Sequence, residues 1–111
     1  MKNLDEVLEM LEKRTLQKEL KEWAKKKEDD ACNSIHFHGG MALRNELGLW
    51  GKNELTKWFN SMGIFHADDM SGIIFTSLYR KLNNKDRDID GQIKVYQDHW
   101  KKMGYKDGIP K

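Results

Sequence analysis

The sequence has 111 residues, of which 38% are hydrophobic and 34% charged, and its formal net charge is +2. This length fits one domain with a modest core, and 4 Trp, 4 Phe and 3 Tyr argue against intrinsic disorder. The near balance of charge gives no strong bias toward nucleic acids or membranes. A single cysteine, Cys32, excludes an intramolecular disulfide, and no signal-like stretch or apolar run of ~18 residues is present. We therefore expect a cytoplasmic domain without membrane association.

The first quarter of the sequence predicts two charged helices. The first has an apolar stripe at i, i+3, i+4 and i+7, with Asn3 as its N-cap. The stripe consists of Leu4, Val7, Leu8 and Leu11. A second helix is predicted to start near Thr15, with Leu16, Leu20 and Trp23 as a narrow apolar edge. Residues 13–27 carry seven basic side chains and only two acidic ones, so this helix is strongly basic.

The third predicted helix begins at the acidic residues 28–30 and includes residues 31–47. Its apolar side chains spread around most of the helix circumference, which is typical of a central, buried helix. Gly39 and Gly40 lie inside it, and each costs about 1 kcal/mol of helix propensity. Close approach of a neighbouring backbone would compensate for this cost. Gly48 is placed to end the helix.

Three more helices follow. Asn53 is predicted to cap the fourth, which ends at Gly63; the fifth runs from near Ala67 to about Leu82; and the sixth starts near Asp88. These patterns predict an all-α fold, a single compact domain of roughly six short helices around a central Gly-containing helix. The domain is predicted to span residues 1–104, and residues 105–111 to form a C-terminal tail.

The histidines do not form a convincing metal site. His36 and His38 are two positions apart, which places them about 200° apart around a helix, so both rings cannot reach one ion. Cys32 lies four positions before His36 and could share its face, but two ligands alone are weak evidence for a metal. We interpret His36 as a core histidine with a hydrogen-bond partner. We expect no metal and no cofactor.

Residues 66–71 combine a histidine with two adjacent carboxylates, Asp68 and Asp69, at a predicted helix start. Acidic side chains there favour the positive end of the helix dipole. Arg44 lies in an apolar segment and must reach solvent or a carboxylate, so we expect it to pair with Asp68 or Asp69. Ser71 lacks the context of a catalytic nucleophile, and the sequence has no glycine-rich phosphate loop. We therefore predict no catalytic residue.

The stretch from His36 to Asn53, together with residues 66–71, resembles an uncharacterised family of small bacterial and phage-borne helical domains. Sequences of that family follow the pattern HFxxGxxxRNxxGLWxxN and then HPDDxS. The match covers roughly residues 31–82, and Ala67 stands where the pattern usually has proline, which would stiffen the helix start. The resemblance implies a small helical domain but brings no established activity.

The leading functional interpretation is a non-enzymatic binding module whose partner is another protein. A small adaptor, an immunity-type protein or a phage inhibitor of a host system would fit this size and charged surface. The first alternative is a small-molecule or nucleotide-binding domain, or a rare enzyme, built on a polar cluster. Its candidate binding residues are His36, Arg44, Asn45, Trp50, His66, Asp68 and Asp69. The sequence leaves homo-oligomerisation open.

The second alternative is nucleic-acid binding through the basic face of residues 13–27. Its candidate residues are Lys18, Lys21, Lys25 and Lys26. The lysines fall on several sides, Glu19 and Glu22 interrupt them, and Trp23 is the one aromatic side chain among them. We therefore interpret this face as solvated and do not expect nucleic acid to be the partner.

Overall fold

The computed structural model describes residues 2–36, 38–105 and 108, apart from the side chains of residues 35, 36 and 38. Within these residues the chain forms seven α-helices and no strand, in one compact unit, which confirms the predicted all-α class. The helices are α1 (Leu4–Arg14), α2 (Gln17–Ala24), α3 (Glu28–His36), α4 (His38–Glu46), α5 (Glu54–Ser61), α6 (Ala67–Leu82) and α7 (Ile89–Lys102). None of the helices in these ranges has both the length and the apolar character needed to cross a bilayer. The boundary predicted between domain and tail stays a prediction, because most of residues 105–111 lie outside the description.

The central helix is α6, which contacts α1, α2, α3, α4 and α7. Met70, Ile73 and Ile74 on this helix are at most 1% exposed. The glycine-containing segment 31–47 was predicted to be buried on most sides; its helices α3 and α4 both contact α6, but Met41 is 57% exposed and Ala42 is exposed as well. Apolar side chains on several sides of a segment do not guarantee that a neighbour covers each side.

The third predicted helix corresponds to α3 and α4, which lie on either side of residue 37. Residue 37 is outside the described part of the chain. Of the two glycines in α4, Gly40 is buried and Gly39 is exposed. Leu43 and Arg44 are the buried side chains of the next turn, and each is 5% exposed. This turn forms the buried side of α4, and α4 is in contact with α6.

Local sequence signals set most helix ends where they were predicted. Asn3 caps α1 by accepting a hydrogen bond from the Glu6 backbone N–H (3.0 Å), and Asn53 caps α5 by accepting one from Thr56 N–H (2.9 Å). Gly63 follows α5 with φ +87°, a left-handed conformation that glycine adopts without a side-chain clash. The exception is α2, which begins at Gln17 and leaves Leu16 68% exposed rather than on its apolar edge.

Candidate functional site

Arg44 joins α4 to the first turns of α6. Its side chain is 6% exposed, its Nη1 donates to Ser71 Oγ at 2.9 Å, and its Nε lies 3.3 Å from Asp68 Oδ1. Ser71 is fully buried and in turn donates to the Asp68 carbonyl oxygen at 3.0 Å. The predicted pairing of Arg44 with Asp68 is confirmed. A buried guanidinium needs hydrogen-bond and ion-pair partners of this kind. The stability of the fold is therefore enough to explain the presence of Arg44, Asp68 and Ser71 at this position.

Asp69 faces a different direction, toward α7, because adjacent positions on a helix differ by about 100°. It is 8% exposed, and its Oδ2 accepts a hydrogen bond from Trp100 Nε1 at 2.7 Å. Burial raises the pKa of Asp69, while the Trp100 hydrogen bond and the nearby His66 and His99 oppose that rise. Burial also raises the pKa of Tyr96 to about 12, and the Asp69 charge adds to the rise. The two carboxylates therefore serve two different helix contacts.

His66 is the N-cap of α6. Its Nδ1 accepts a hydrogen bond from the Asp68 backbone N–H at 3.1 Å and lies 3.9 Å from Asp68 Oδ2. With Nδ1 as acceptor, the neutral ring carries its proton on Nε2. The ring stacks on Trp100, with centroids 5.7 Å and planes 30° apart. It meets Trp50 edge-on at 6.2 Å and 73°.

These contacts form a continuous group of four rings, which we call the aromatic cluster: Trp50, His66, Trp100 and Tyr105. Trp100 meets Tyr105 edge-on, with centroids 5.6 Å and planes 80° apart. The rings come from the loops before α5 and before α6, from α7 and from the residues after α7. Trp50 is 59% exposed, and Phe65, directly before His66, is 43% exposed. The cluster therefore presents apolar ring surface to solvent.

Sequence reasoning selected Trp50 and His66 but missed Trp100, Tyr105 and Phe65 as site residues. In the sequence, Trp100 continues a stripe of Ile89, Ile93 and Tyr96 at helical spacing, which is compatible with a core position, and Tyr105 lies in the predicted tail. The available signal was the density of aromatic residues near the end of α7. That signal could not show that their rings meet His66, which lies on another element.

The predicted polar cluster is brought together in part. The described contacts join Arg44, Trp50, His66, Asp68 and Asp69. Asn45 is exposed on α4, about 100° from Arg44, and stands outside these contacts. The side chain of His36 lies outside the described part of the chain, so its predicted core position stays a prediction. No group of three or more His, Cys, Asp or Glu side chains in the described part is placed to hold a metal ion.

The four candidate lysines of the basic face are all exposed. Lys18 and Lys21 lie on α2, and Lys25 and Lys26 lie in the turn after it. In the described part of the chain none of these lysines forms an ion pair, whereas Lys13 and Arg14 on α1 pair with Glu9 and Glu46. Lysine side chains are usually exposed on the solvent-facing side of a helix, so their exposure here needs no bound partner to explain it. Nucleic-acid binding through them stays an untested alternative.

The comparisons with known proteins identify a family but no activity. A family model described as "Domain of unknown function (DUF6794)" matches residues 2–82, so the chain belongs to this family. The match is consistent with the resemblance to an uncharacterised family. No curated protein and no solved structure matches the chain.

Proposed function

We propose that this member of the DUF6794 family is a non-enzymatic module that binds another protein through the aromatic cluster and the adjoining Phe65. The observation that carries the proposal is the 59% exposure of Trp50. An exposed indole does not gain the free energy that comes from removing its large apolar surface from water. Contact with a partner protein would supply that gain. Tryptophan and tyrosine are enriched among the residues that dominate protein interfaces.

Hydrogen bonds within the fold hold two of the four rings of the cluster in place, which supports a binding role. The Trp100 ring is held by its hydrogen bond to Asp69, and the His66 ring is held by its cap on α6. Rings that are already positioned lose little conformational freedom when a partner binds, so more of the interface energy appears as affinity. The polar groups beneath the rings are engaged within the fold, which favours an interface over a small-molecule site.

The cellular setting is part of the same proposal. We infer from the family-like motifs that the protein acts in the cytoplasm of a bacterium or in a phage-infected cell. An adaptor, an immunity-type protein or an inhibitor of a host system would each use such a surface without any catalytic residue. The proposal needs no metal, cofactor or membrane.

The test is quantitative affinity capture from an extract of the source cells with three baits: the wild type, Trp50→Ser and Leu16→Ser. Leu16 is the matched control, because it is 68% exposed and lies between α1 and α2, outside the aromatic cluster. Both substitutions replace an exposed apolar side chain with a small polar one, so neither should disturb the core. Circular dichroism confirms that the three baits share one fold.

The expected result is a partner that the wild type and Leu16→Ser capture equally and that Trp50→Ser loses. With that partner purified, Trp50→Ser should raise the Kd by about tenfold or more, as for an interface residue of this kind. Equal capture by Trp50→Ser and the wild type would contradict the proposal. So would the absence of any protein captured above the level of the bare matrix.

A further inference from the structure

A second feature of the surface is a groove of about 350 Å³ that lies between α1, α2, α4 and α6. Its walls are mainly apolar: Leu11, Leu20, Trp23, Leu43, Phe75 and Leu78. This volume and this lining lie at the small end of the range for ligand-binding pockets. None of these residues belongs to the aromatic cluster, so the groove is a separate feature of the molecule.

Charged side chains stand at the edge of the groove, and they are not equivalent. Arg14 and Glu46 pair with each other at 2.6 Å, so their charges are mutually compensated. Glu19 also lines the groove and is exposed, and in the described part of the chain it forms no ion pair. The lysine two positions later, Lys21, lies about 200° away around α2. Among the charged residues that line the groove, the one whose charge is not compensated by an ion pair in the described part of the chain is therefore the negative Glu19.

Trp23 adds a second feature that favours a cation. It lies four positions after Glu19 on α2, so the two side chains share one side of the helix. Its Nε1 donates to the Ala31 carbonyl oxygen at 2.8 Å, which uses the only hydrogen-bonding group of the indole. The ring of Trp23 also meets Tyr79, with centroids 5.7 Å and planes 89° apart. What Trp23 offers to a ligand is therefore the part of its ring that lines the groove, and the face of an indole attracts ammonium groups.

We propose that this groove binds a small amphiphilic amine. The alkyl chain occupies the apolar groove, and the ammonium group lies at the edge between the Glu19 carboxylate and the Trp23 ring. An anionic amphiphile of the same chain length gains the same apolar contacts, but its head group is repelled by Glu19. The groove therefore discriminates by the charge of the head group.

The first experiment is an NMR titration of the wild-type protein with octylammonium and with octanoate. Both probes are kept below their micelle concentrations and at equal ionic strength, and the Trp23 indole N–H reports binding. We expect saturable binding of octylammonium with a Kd about fivefold lower than that of octanoate. Equal Kd values would overturn the head-group assignment, and the absence of saturable shifts with either probe would overturn the site.

Glu19→Gln tests the source of the preference. Because Glu19 is exposed, the substitution should leave the fold intact while removing the negative charge. We expect the Kd of octylammonium to rise toward that of octanoate, so that only the preference supplied by the Trp23 ring remains. A preference unchanged in Glu19→Gln would show that the ammonium group does not lie at Glu19.

Ala42→Phe tests the location. Ala42 lines the groove from an exposed position on α4, so a larger side chain can fill the groove without entering the core. Asn45→Phe is the matched control, because Asn45 is exposed on the same helix and does not line the groove. We expect Ala42→Phe to raise the Kd of octylammonium about tenfold or more and Asn45→Phe to leave it unchanged. Unchanged binding in both variants would place the amine elsewhere and overturn the proposal.

Discussion

The start of α6 has an inner side and an outer side, and the two are built in opposite ways. On the inner side, Arg44, Ser71 and Asp69 are polar and buried. On the outer side, Trp50 and Phe65 are apolar and exposed. Burying a polar group costs free energy unless the group is hydrogen-bonded. Hydrogen bonds of this kind are made by the buried polar side chains of the inner side. Stability therefore accounts for the inner residues, whereas Trp50 and Phe65 remain largely exposed after folding, and this exposure is the basis of the proposed binding role.

The largest effect on stability is expected for Arg44→Ala. The substitution removes the bond to Ser71 and the ion pair with Asp68 and leaves a cavity between α4 and α6. Asp68 is 46% exposed and can be solvated, so we expect a loss of about 3 kcal/mol rather than the largest values seen for broken buried pairs. Urea unfolding measures this loss. Arg87→Ala, which breaks the exposed pair with Asp5, is the control and should cost less than about 1 kcal/mol. Equal losses of stability in both variants would contradict the stabilising role of the Arg44 contacts with Ser71 and Asp68.

A smaller loss is expected for Trp100→Phe. Phenylalanine keeps a ring against His66 but cannot donate to Asp69, which then remains buried without its indole partner. Leaving a buried acceptor unbonded costs about 1–3 kcal/mol, so the free energy of unfolding should fall by about 2 kcal/mol. A change below 0.5 kcal/mol, on the order of a neutral surface substitution, would show that this hydrogen bond does not hold α7 to α6.

The histidine cap of α6 is expected to contribute less. His66→Ala removes the acceptor for the Asp68 N–H and should cost about 1 kcal/mol. His66→Asn restores a side chain that caps helices well, so it should recover most of that loss. Thermal unfolding of the two variants checks this order. If His66→Asn is as unstable as His66→Ala, the ring contacts of His66 rather than its cap are what stabilise the helix start.

The smallest expected effect is a change in the free energy of unfolding with pH that arises from the titration of Asp69. Burial raises its pKa in the folded state above the unfolded value, so the folded protein binds more protons between those two pKa values. The contribution of this group is therefore favourable in acid and is lost as the pH rises through the folded pKa. Asp69→Asn does not titrate. The free energy of unfolding of the wild type, minus that of Asp69→Asn, should fall from about pH 3 to neutral pH. A difference that stays constant or rises would contradict the burial of Asp69.

The sequence predicted those features of the fold that depend on nearby residues. Asn3 and Asn53 cap their helices by bonding to backbone groups three positions away, and the limits of α6 follow from such short-range signals. The pairing of Arg44 with Asp68 was also predictable, because a guanidinium in an apolar segment needs a carboxylate. These inferences require no knowledge of how the helices are arranged.

Features that depend on the arrangement of helices were not predictable. The segment 31–47 and α6 are both rich in apolar residues, and only the packing shows that α6 has neighbours on most sides while Met41 faces solvent. Trp100 lies on the apolar stripe of α7, near the end of the helix. The stripe alone does not reveal whether the last turn of α7 packs in the core or extends beyond it. The ring contacts join Trp50 to His66 and His66 to Trp100, residues that lie 16 and 34 positions apart in the sequence. The aromatic cluster therefore became visible only in three dimensions.

The buried polar contacts are assigned to the stability of the fold, and the exposed rings are proposed to bind a partner. The most direct test compares Arg44→Met with Trp50→Ser in binding the partner that the wild type captures. Methionine fills much of the space of Arg44 without its charge, and such replacements of buried ion pairs often preserve the fold. We expect Arg44→Met to bind within about twofold of the wild type and Trp50→Ser to bind about tenfold more weakly or worse. A folded Arg44→Met variant that no longer binds, beside a Trp50→Ser variant that does, would contradict this assignment.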